Sequence, residues 1–400
     1  MTEPPASTDR LLAITPQGLA GALRRGEDYL FDYDVAAPAD AEICLGMPRR
    51  REQYRDRALF PIFQMNLPEG YVLEQLRLRF AKTVRLDPML LLAMTGGEAA
   101  IGRVRLRPPQ GKSASAPAMP LPALLAHQGS ENLFRQLADT YLLRTGISGV
   151  QPKLLVPEQV ELHGKATLAT TELIVKSAGD GYPGLAVNEF LCMRVARLAG
   201  IPVPDFFLSE DHQRFVMRRF DRTAKGQALG FEDMAVLIGL GADSKYQGSY
   251  ERVAKAIGLY CPPAYRPAAL AQYFDQVALS CMVGNGDAHL KNFGLLYSYP
   301  GANDARLAPC YDIVCTTCYI PEDSLALTLA GSKSLFRARA DILEFGQRAC
   351  GLKDPAARIT NLLRALDQVM QTERKLLDEV PGMAGQLQHG ATLFRRLVAR

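Results

Sequence analysis

The stretch N-G-D-A-H-L-K-N, residues 285–292, decides how the rest of this 400-residue chain is read. Asp287 and Asn292 stand five positions apart, the spacing of an Asp-xxxx-Asn loop for phosphoryl transfer. Moving a phosphoryl group onto an alcohol needs a carboxylate beside the hydroxyl to orient it and take its proton. It also needs oxygen ligands for magnesium, whose charge offsets that of the phosphates. Asp287 suits the first task and Asn292 the second. A second metal-binding carboxylate belongs on a strand–loop element downstream, and Y-D-I at 311–313 offers Asp312. A short strand expected over 293–297 lies between them, so a hairpin brings Asn292 and Asp312 onto one ion. Alone, Asn-Gly-Asp is equally good surface-turn chemistry. His289 either orients the loop or is a satisfied core histidine; Lys291 either touches a transferred phosphate or is solvated.

Working upstream, such a loop calls for a strand lysine paired with a helix glutamate, to hold the α and β phosphates. Lys176 ends the apolar run 173–175, and Glu189 follows thirteen residues later inside an amphipathic helix expected over 185–198. A phosphate-covering loop belongs before Lys176, and G-I-S-G-V-Q-P-K at 146–153 is the candidate. Gly146 and Gly149 allow close backbone approach, Ser148 offers a hydroxyl and Lys153 a charge. The stretch is neither a Walker A motif nor a G-x-G-x-x-G loop, and composition alone makes it a generic turn. V-M-R-R-F-D-R at 216–222 sits where a strand passes between lobes, with adenine held by backbone there and Phe220 or Met217 lining the ring; its plainer reading is an edge strand ending in solvated charges.

The remaining pattern is mixed. Residues 19–23 suit a short helix and 43–45 a short strand; 73–80 and 88–94 are helical, and 99–106 alternates as a strand. Residues 108–122 are rich in Pro, Ala, Ser and Gly and read as a linker. Strands follow at 154–156, 166–171, 172–175, 206–208 and 214–217, then helices at 268–282, 359–380 and 394–398. With 48% hydrophobic and 22% charged residues, disorder over most of the chain is excluded, and a formal charge of +4 does not by itself imply nucleic acid. The first ten residues lack a secretory pattern and no run of about eighteen apolar residues occurs, so a cytoplasmic protein is expected. Eight cysteines are too sparse for a disulfide scaffold; Cys315 and Cys318, with Cys310 nearby, read as reduced thiols rather than a zinc or redox site.

Taken in order, these motifs resemble the HipA-like serine/threonine kinases, which include toxins of bacterial toxin–antitoxin pairs. The resemblance spans nearly the whole chain: F-P-I-F-Q-M-N-L-P-E-G at 60–70, S-G-V-Q-P-K at 148–153, N-E-F at 188–190 and R-R-F-D-R at 218–222. It continues through E-D-M at 232–234, S-K-Y at 244–246, G-D-A-H-L-K-N at 286–292 and Y-D-I at 311–313. It implies an α+β, protein-kinase-like bilobal fold, with an N-terminal subdomain over 1–110, a linker or variable loop over 111–137, a small lobe over 138–222 and a mainly helical large lobe over 223–400.

The resemblance further implies Asp287 as catalytic aspartate, with His289 and Lys291 beside it, and Asn292 and Asp312 as magnesium ligands. ATP would be held by Ser148, Gly149, Val150, Gln151, Lys153 and Lys176, with Glu189 orienting the lysine and the backbone near Arg218 and Phe220 facing adenine. Family members are regulated by autophosphorylation of serines in the loop before Gln151; some carry one two positions before Ser148, where this chain has Gly146, so Ser148 is the candidate here. The implied substrate is an aminoacyl-tRNA synthetase, glutamyl-tRNA synthetase foremost, and the implied partner is a small helix-turn-helix antitoxin that carries most of the DNA binding. The rival readings are a small-molecule kinase and a non-catalytic binding protein.

Overall fold

The computed structural model describes residues 8–51, 53–80, 84–110, 116–127, 130–147, 151–162, 166–177 and 181–399. Its first sheet follows from period-two alternation: in β1 (Arg10–Thr15), Leu11 and Ala13 face inward. β2 (Gly18–Arg25), β3 (Tyr29–Tyr33), β4 (Gln53–Asp56) and β5 (Arg105–Arg107) complete an antiparallel sheet of order β4-β3-β2-β1-β5. Residues 19–23 are therefore strand, not helix. Their Ala and Leu content suits either state, but Gly21 lies so close to the neighbouring strand that an added Cβ would sit 2.1 Å from the Asp32 carbonyl oxygen. Residues 43–45 are irregular rather than strand, with Ile43 buried, and 99–106 is mostly turn before β5. Three helices close this subdomain: α1 (Pro61–Gln64), α2 (Gly70–Phe80) and α3 (Pro88–Thr95), the last started by the Asp87 side chain accepting from Leu90 N at 2.9 Å.

Within the stretch read as linker or variable loop, α4 (Leu121–Ala126) and α5 (Ser130–Tyr141) are helical. Leu124, Leu133, Phe134 and Leu137 pack on Leu154, Val156, Leu173, Val175 and Val216 of a second sheet. That sheet comprises β6 (Lys153–Leu162), β7 (Ala166–Ser177), β8 (Phe206–Leu208) and β9 (Arg214–Arg218), ordered β6-β7-β9-β8. α6 (Leu185–Leu198) covers its other face, meeting Leu155, Ile174, Phe215 and Met217. Covered on both faces, the strands read as continuous apolar runs. The separate strands expected at 166–171 and 172–175 are the single strand β7.

A small third sheet, β10 (Gly230–Asp233), β11 (Gly294–Tyr297) and β12 (Arg306–Leu307), leads into the helical lobe. This lobe holds α7 (Met234–Ile238), α8 (Tyr250–Tyr260), α9 (Arg266–Val283), α10 (Leu335–Arg348), α11 (Pro355–Thr372), α12 (Arg374–Leu377) and α13 (Met383–Val398). The helix expected over 359–380 is broken at Glu373, where the chain turns so that Leu377 and Val380 are buried. α9 is the central helix, with every residue from Tyr273 to Val283 buried. Gly390 lets α13 touch it: a Cβ there would lie 1.9 Å from the Met282 carbonyl oxygen. The whole is a bilobal, kinase-like α+β arrangement with an additional N-terminal subdomain.

Candidate active site

The small lobe contributes two lysines that sheet geometry places side by side. Lys153 on β6 is the cross-strand partner of Lys176 on β7, and both are buried. Like charges directly opposite are unfavourable unless something lies between them. Asp312 does: its Oδ1 pairs closely with Lys176, and its Oδ2 lies 4.0 Å from Lys153 Nζ. Glu189, fully buried on α6, takes a third position at 2.5 Å from Lys176 Nζ. Burial disfavours charge on Lys176, but Asp312 and Glu189 outweigh it and hold the ammonium protonated. Burial also opposes ionisation of Asp312, yet Lys176 and Lys153 keep it well below the usual carboxylate range. Burial pushes Lys153 down and Glu189 up, the latter to about 7. Asp312 has φ 60, a left-handed backbone that costs an aspartate about 1–3 kcal/mol and persists where its surroundings over-determine it.

The loop 285–292 is launched by the end of α9. Gly284 caps the helix at φ +73, its N–H donating to Ser280 O, and a side chain there would meet Thr317 Oγ1 at 2.3 Å. At Gly286 a Cβ would lie 2.1 Å from Asp323 Oδ2 and 2.6 Å from the Ser324 carbonyl oxygen, so a side chain is excluded. Asp287 N donates to Asn285 Oδ1 at 3.0 Å, and Asn292 Nδ2 to Asp287 O at 3.0 Å. Nδ2 being committed, the Asn292 amide oxygen is the atom left for a cation. Asp287 opens to solvent on the cavity side but is walled by protein elsewhere; burial raises its carboxyl, Asp312 adds to this, and a hydrogen bond from Tyr246 opposes it. Burial and Lys245 push His289 down to about 3, so the ring is neutral, and its Nδ1 has no partner.

These groups line one cavity of about 720 Å³ between the lobes. Gln151, Lys153, Lys176, Asp287, His289, Lys291, Asn292 and Asp312 all border it. Its apolar end is formed by Ile174, Met217, Phe220 and Tyr311, with Phe220 and Tyr311 stacked at 5.1 Å. Arg218 does not border it. Its guanidinium turns to Glu158 (2.6 Å) and Asp205 (3.1 Å), and its backbone N–H donates to Asp205 O. The charges of R-R-F-D-R are not a solvated cluster either: Arg219, Asp221 and Arg222 are a largely buried knot against 99–102 of the N-terminal subdomain. Ser148, Gly149 and Val150 lie outside the described residues. Just before them, Gly146 is pinned by contact, since a Cβ would be 2.7 Å from Asn66 O.

Residue-by-residue reading assigned no role to several site groups. Tyr246 donates to Asp287 Oδ1 at 2.8 Å. Glu69, from the N-terminal subdomain, pairs with Lys291 at 2.6 Å and lies 3.9 Å from Lys245. Asn188 clamps the segment after Asp312, accepting from Cys315 N at 2.8 Å and donating to Cys315 O at 3.0 Å. Each belongs to a quoted motif, L-P-E-G, S-K-Y or N-E-F, but the partner stands 41 to 222 residues away.

Residues 145–373 match the HipA-like C-terminal domain and residues 11–107 the HipA N-terminal domain. A Sinorhizobium fredii protein named as a kinase, Y4dM, is 31% identical over 306 residues, covering 71% of this chain and 69% of its own. The serine/threonine-protein kinase toxin HipA of Shewanella oneidensis is 26% identical over 212 residues, 46% of this chain and 47% of its own. In fold, the chain superposes on a Shewanella oneidensis structure of HipA, HipB and operator DNA with TM-score 0.64 at 19% identity, covering 98% of this chain and 97% of that one. The C-terminal match alone takes in more than half of the sequence: the chain belongs to the HipA-like family, the toxin kinases of type II toxin–antitoxin systems.

Proposed function

We propose that this HipA-like kinase transfers the γ-phosphoryl group of ATP to a serine or threonine hydroxyl of a protein. The observation that carries the proposal is the convergence of Lys176, Asp312, Asp287 and Asn292, drawn from both lobes, around one cavity, with Glu189 buried behind Lys176. Lys176, kept charged by two carboxylates, would hold the nucleotide phosphates with Lys153 beside it; Gln151 and the Ser148–Val150 stretch would cover them. Adenine suits the apolar end at Met217 and Phe220. Asp287 would orient the acceptor hydroxyl and take its proton, and Lys291 would stand near the transferred group.

The donor set also suits magnesium. Asp312 is held deprotonated and Asn292 has an amide oxygen to offer. Two such oxygens suit an ion that takes one or two protein ligands and completes its shell with phosphate and water. Bound there, magnesium would offset phosphate charge.

Membership of the family supports a translation protein as substrate, glutamyl-tRNA synthetase being the leading candidate among aminoacyl-tRNA synthetases. It also supports a small helix-turn-helix antitoxin as partner, with DNA contacted through it, and autophosphorylation at Ser148. The test is incubation with magnesium, γ-labelled ATP and purified glutamyl-tRNA synthetase, then identification of the labelled amino acid. Label on serine or threonine supports the reading. Label found only on small molecules would replace it with a small-molecule kinase.

A further inference from the structure

We infer that Tyr246 is the positioning residue for the catalytic carboxylate: its hydroxyl fixes Asp287 Oδ1, so that Oδ2 is the oxygen turned to the acceptor. The inference rests on the phosphoryl-transfer reading above. Asp287 is the most solvent-open member of its loop, and the loop itself restrains only its backbone: Asn285 binds its N–H and Asn292 its carbonyl. A side chain held only through its backbone keeps rotational freedom, and a base that wanders by an ångström can lose about a hundred-fold in rate. The Tyr246 hydroxyl, 2.8 Å from Oδ1, supplies the missing restraint.

Tyr246 is itself held. Its ring meets His289 edge-to-face at 5.2 Å, Lys245 Nζ lies 5.1 Å from the ring centroid, and Lys245 O accepts from Leu290 N at 3.1 Å, which ties S-K-Y to the catalytic loop. Lys245 also approaches Glu69. The tyrosine hydroxyl is kept un-ionised: burial raises it, and the charge on Asp287, with Glu69 and Asp323 further off, raises it more. It therefore acts as a donor and not as a second base.

The charged groups acting on Asp287 are Asp312, which raises its carboxyl, and Lys245 and Lys153, which lower it; the Tyr246 hydrogen bond adds to the lowering. In Tyr246→Phe, kcat falls about ten-fold with KM for ATP unchanged. The side-chain rotamer order of Asp287, read from three-bond χ1 couplings in the folded protein, falls in the same variant. A folded Tyr246→Phe protein in which Asp287 keeps a single side-chain rotamer overturns the inference, whether or not the wild-type chain transfers phosphate. Lost rotamer order with kcat unchanged overturns it too, since the contact would then position nothing that the reaction uses. A wild-type chain that binds ATP and transfers nothing refutes the kinase reading separately.

Discussion

Replacing Asp221 by asparagine should loosen the N-terminal subdomain from the kinase lobes. Asp221 is buried and accepts from Arg219 at 2.9 and 2.6 Å, from Arg222 at 3.0 Å and from Gly102 N at 2.7 Å. The two guanidiniums in turn donate to the carbonyls of Ala99, Ala100 and Gly102, so the carboxylate holds both cations against the other subdomain. In Asp221→Asn, Arg219 keeps Glu172 and Arg222 keeps only carbonyls. Side-chain exposures of 1% for Arg219, 4% for Asp221 and 8% for Arg222 mean water does not make good the loss. Removing one partner of such a buried pair costs about 3–5 kcal/mol, or roughly 4–6 °C in melting temperature for a chain of this length. Burial opposes ionisation of Asp221, but Arg219, Arg222 and the Gly102 N–H hold it well below the usual range. Its contribution is therefore complete above the unfolded-state carboxyl range and lost as pH falls through its depressed native value. Wild type and variant should differ fully at pH 7 and converge only in acid well below about pH 4. The assay is thermal unfolding by circular dichroism across pH, with limited proteolysis after residue 107 as a second readout. Equal melting within about 1 °C at pH 7 would refute the reasoning.

Three further changes probe the site. Lys176→Met should cut phosphoryl transfer by at least about a hundred-fold and weaken nucleotide binding measured by calorimetry, because Lys176 is in direct contact with both Asp312 and Glu189, whereas Lys153 reaches Asp312 only at 4.0 Å. Gly286→Ala should cost about 1–3 kcal/mol in melting experiments and shift the loop carrying Asp287, since the Ser324 carbonyl cannot yield to the new methyl group. Glu69→Gln should lower stability by about 1–2 kcal/mol and disturb the 285–292 loop through Lys291, with Glu69→Asp restoring part of the loss; equal turnover in all three proteins would argue against a contribution of the N-terminal subdomain to the site.

Residue type and order made the Lys176–Glu189 pair legible in the sequence, together with the meeting of Lys176, Asp287, Asn292 and Asp312 at one cavity; α6 was readable from its apolar spacing and the Gly200 stop. The contacts of Tyr246, Glu69 and Asn188 were not, because a tyrosine hydroxyl or a turn glutamate gains meaning only from a partner brought up by tertiary folding. The plainer alternative for 216–222, a strand ending in solvated charges, fails at Arg219 and Asp221 for the same reason: a run of charges looks solvated until a second subdomain is packed over it. Gly21 and its neighbours show the limit of local propensity, since Ala-Leu composition yields to cross-strand pairing on both sides.

The decisive measurement is phosphoryl transfer to protein hydroxyls by wild type and Asp287→Asn in magnesium–ATP, with nucleotide binding measured on the same samples. Binding retained in both proteins, with transfer reduced at least about a hundred-fold in the variant, is the predicted result. Equal transfer by the two proteins, or no binding of magnesium–ATP by the wild type, would contradict it.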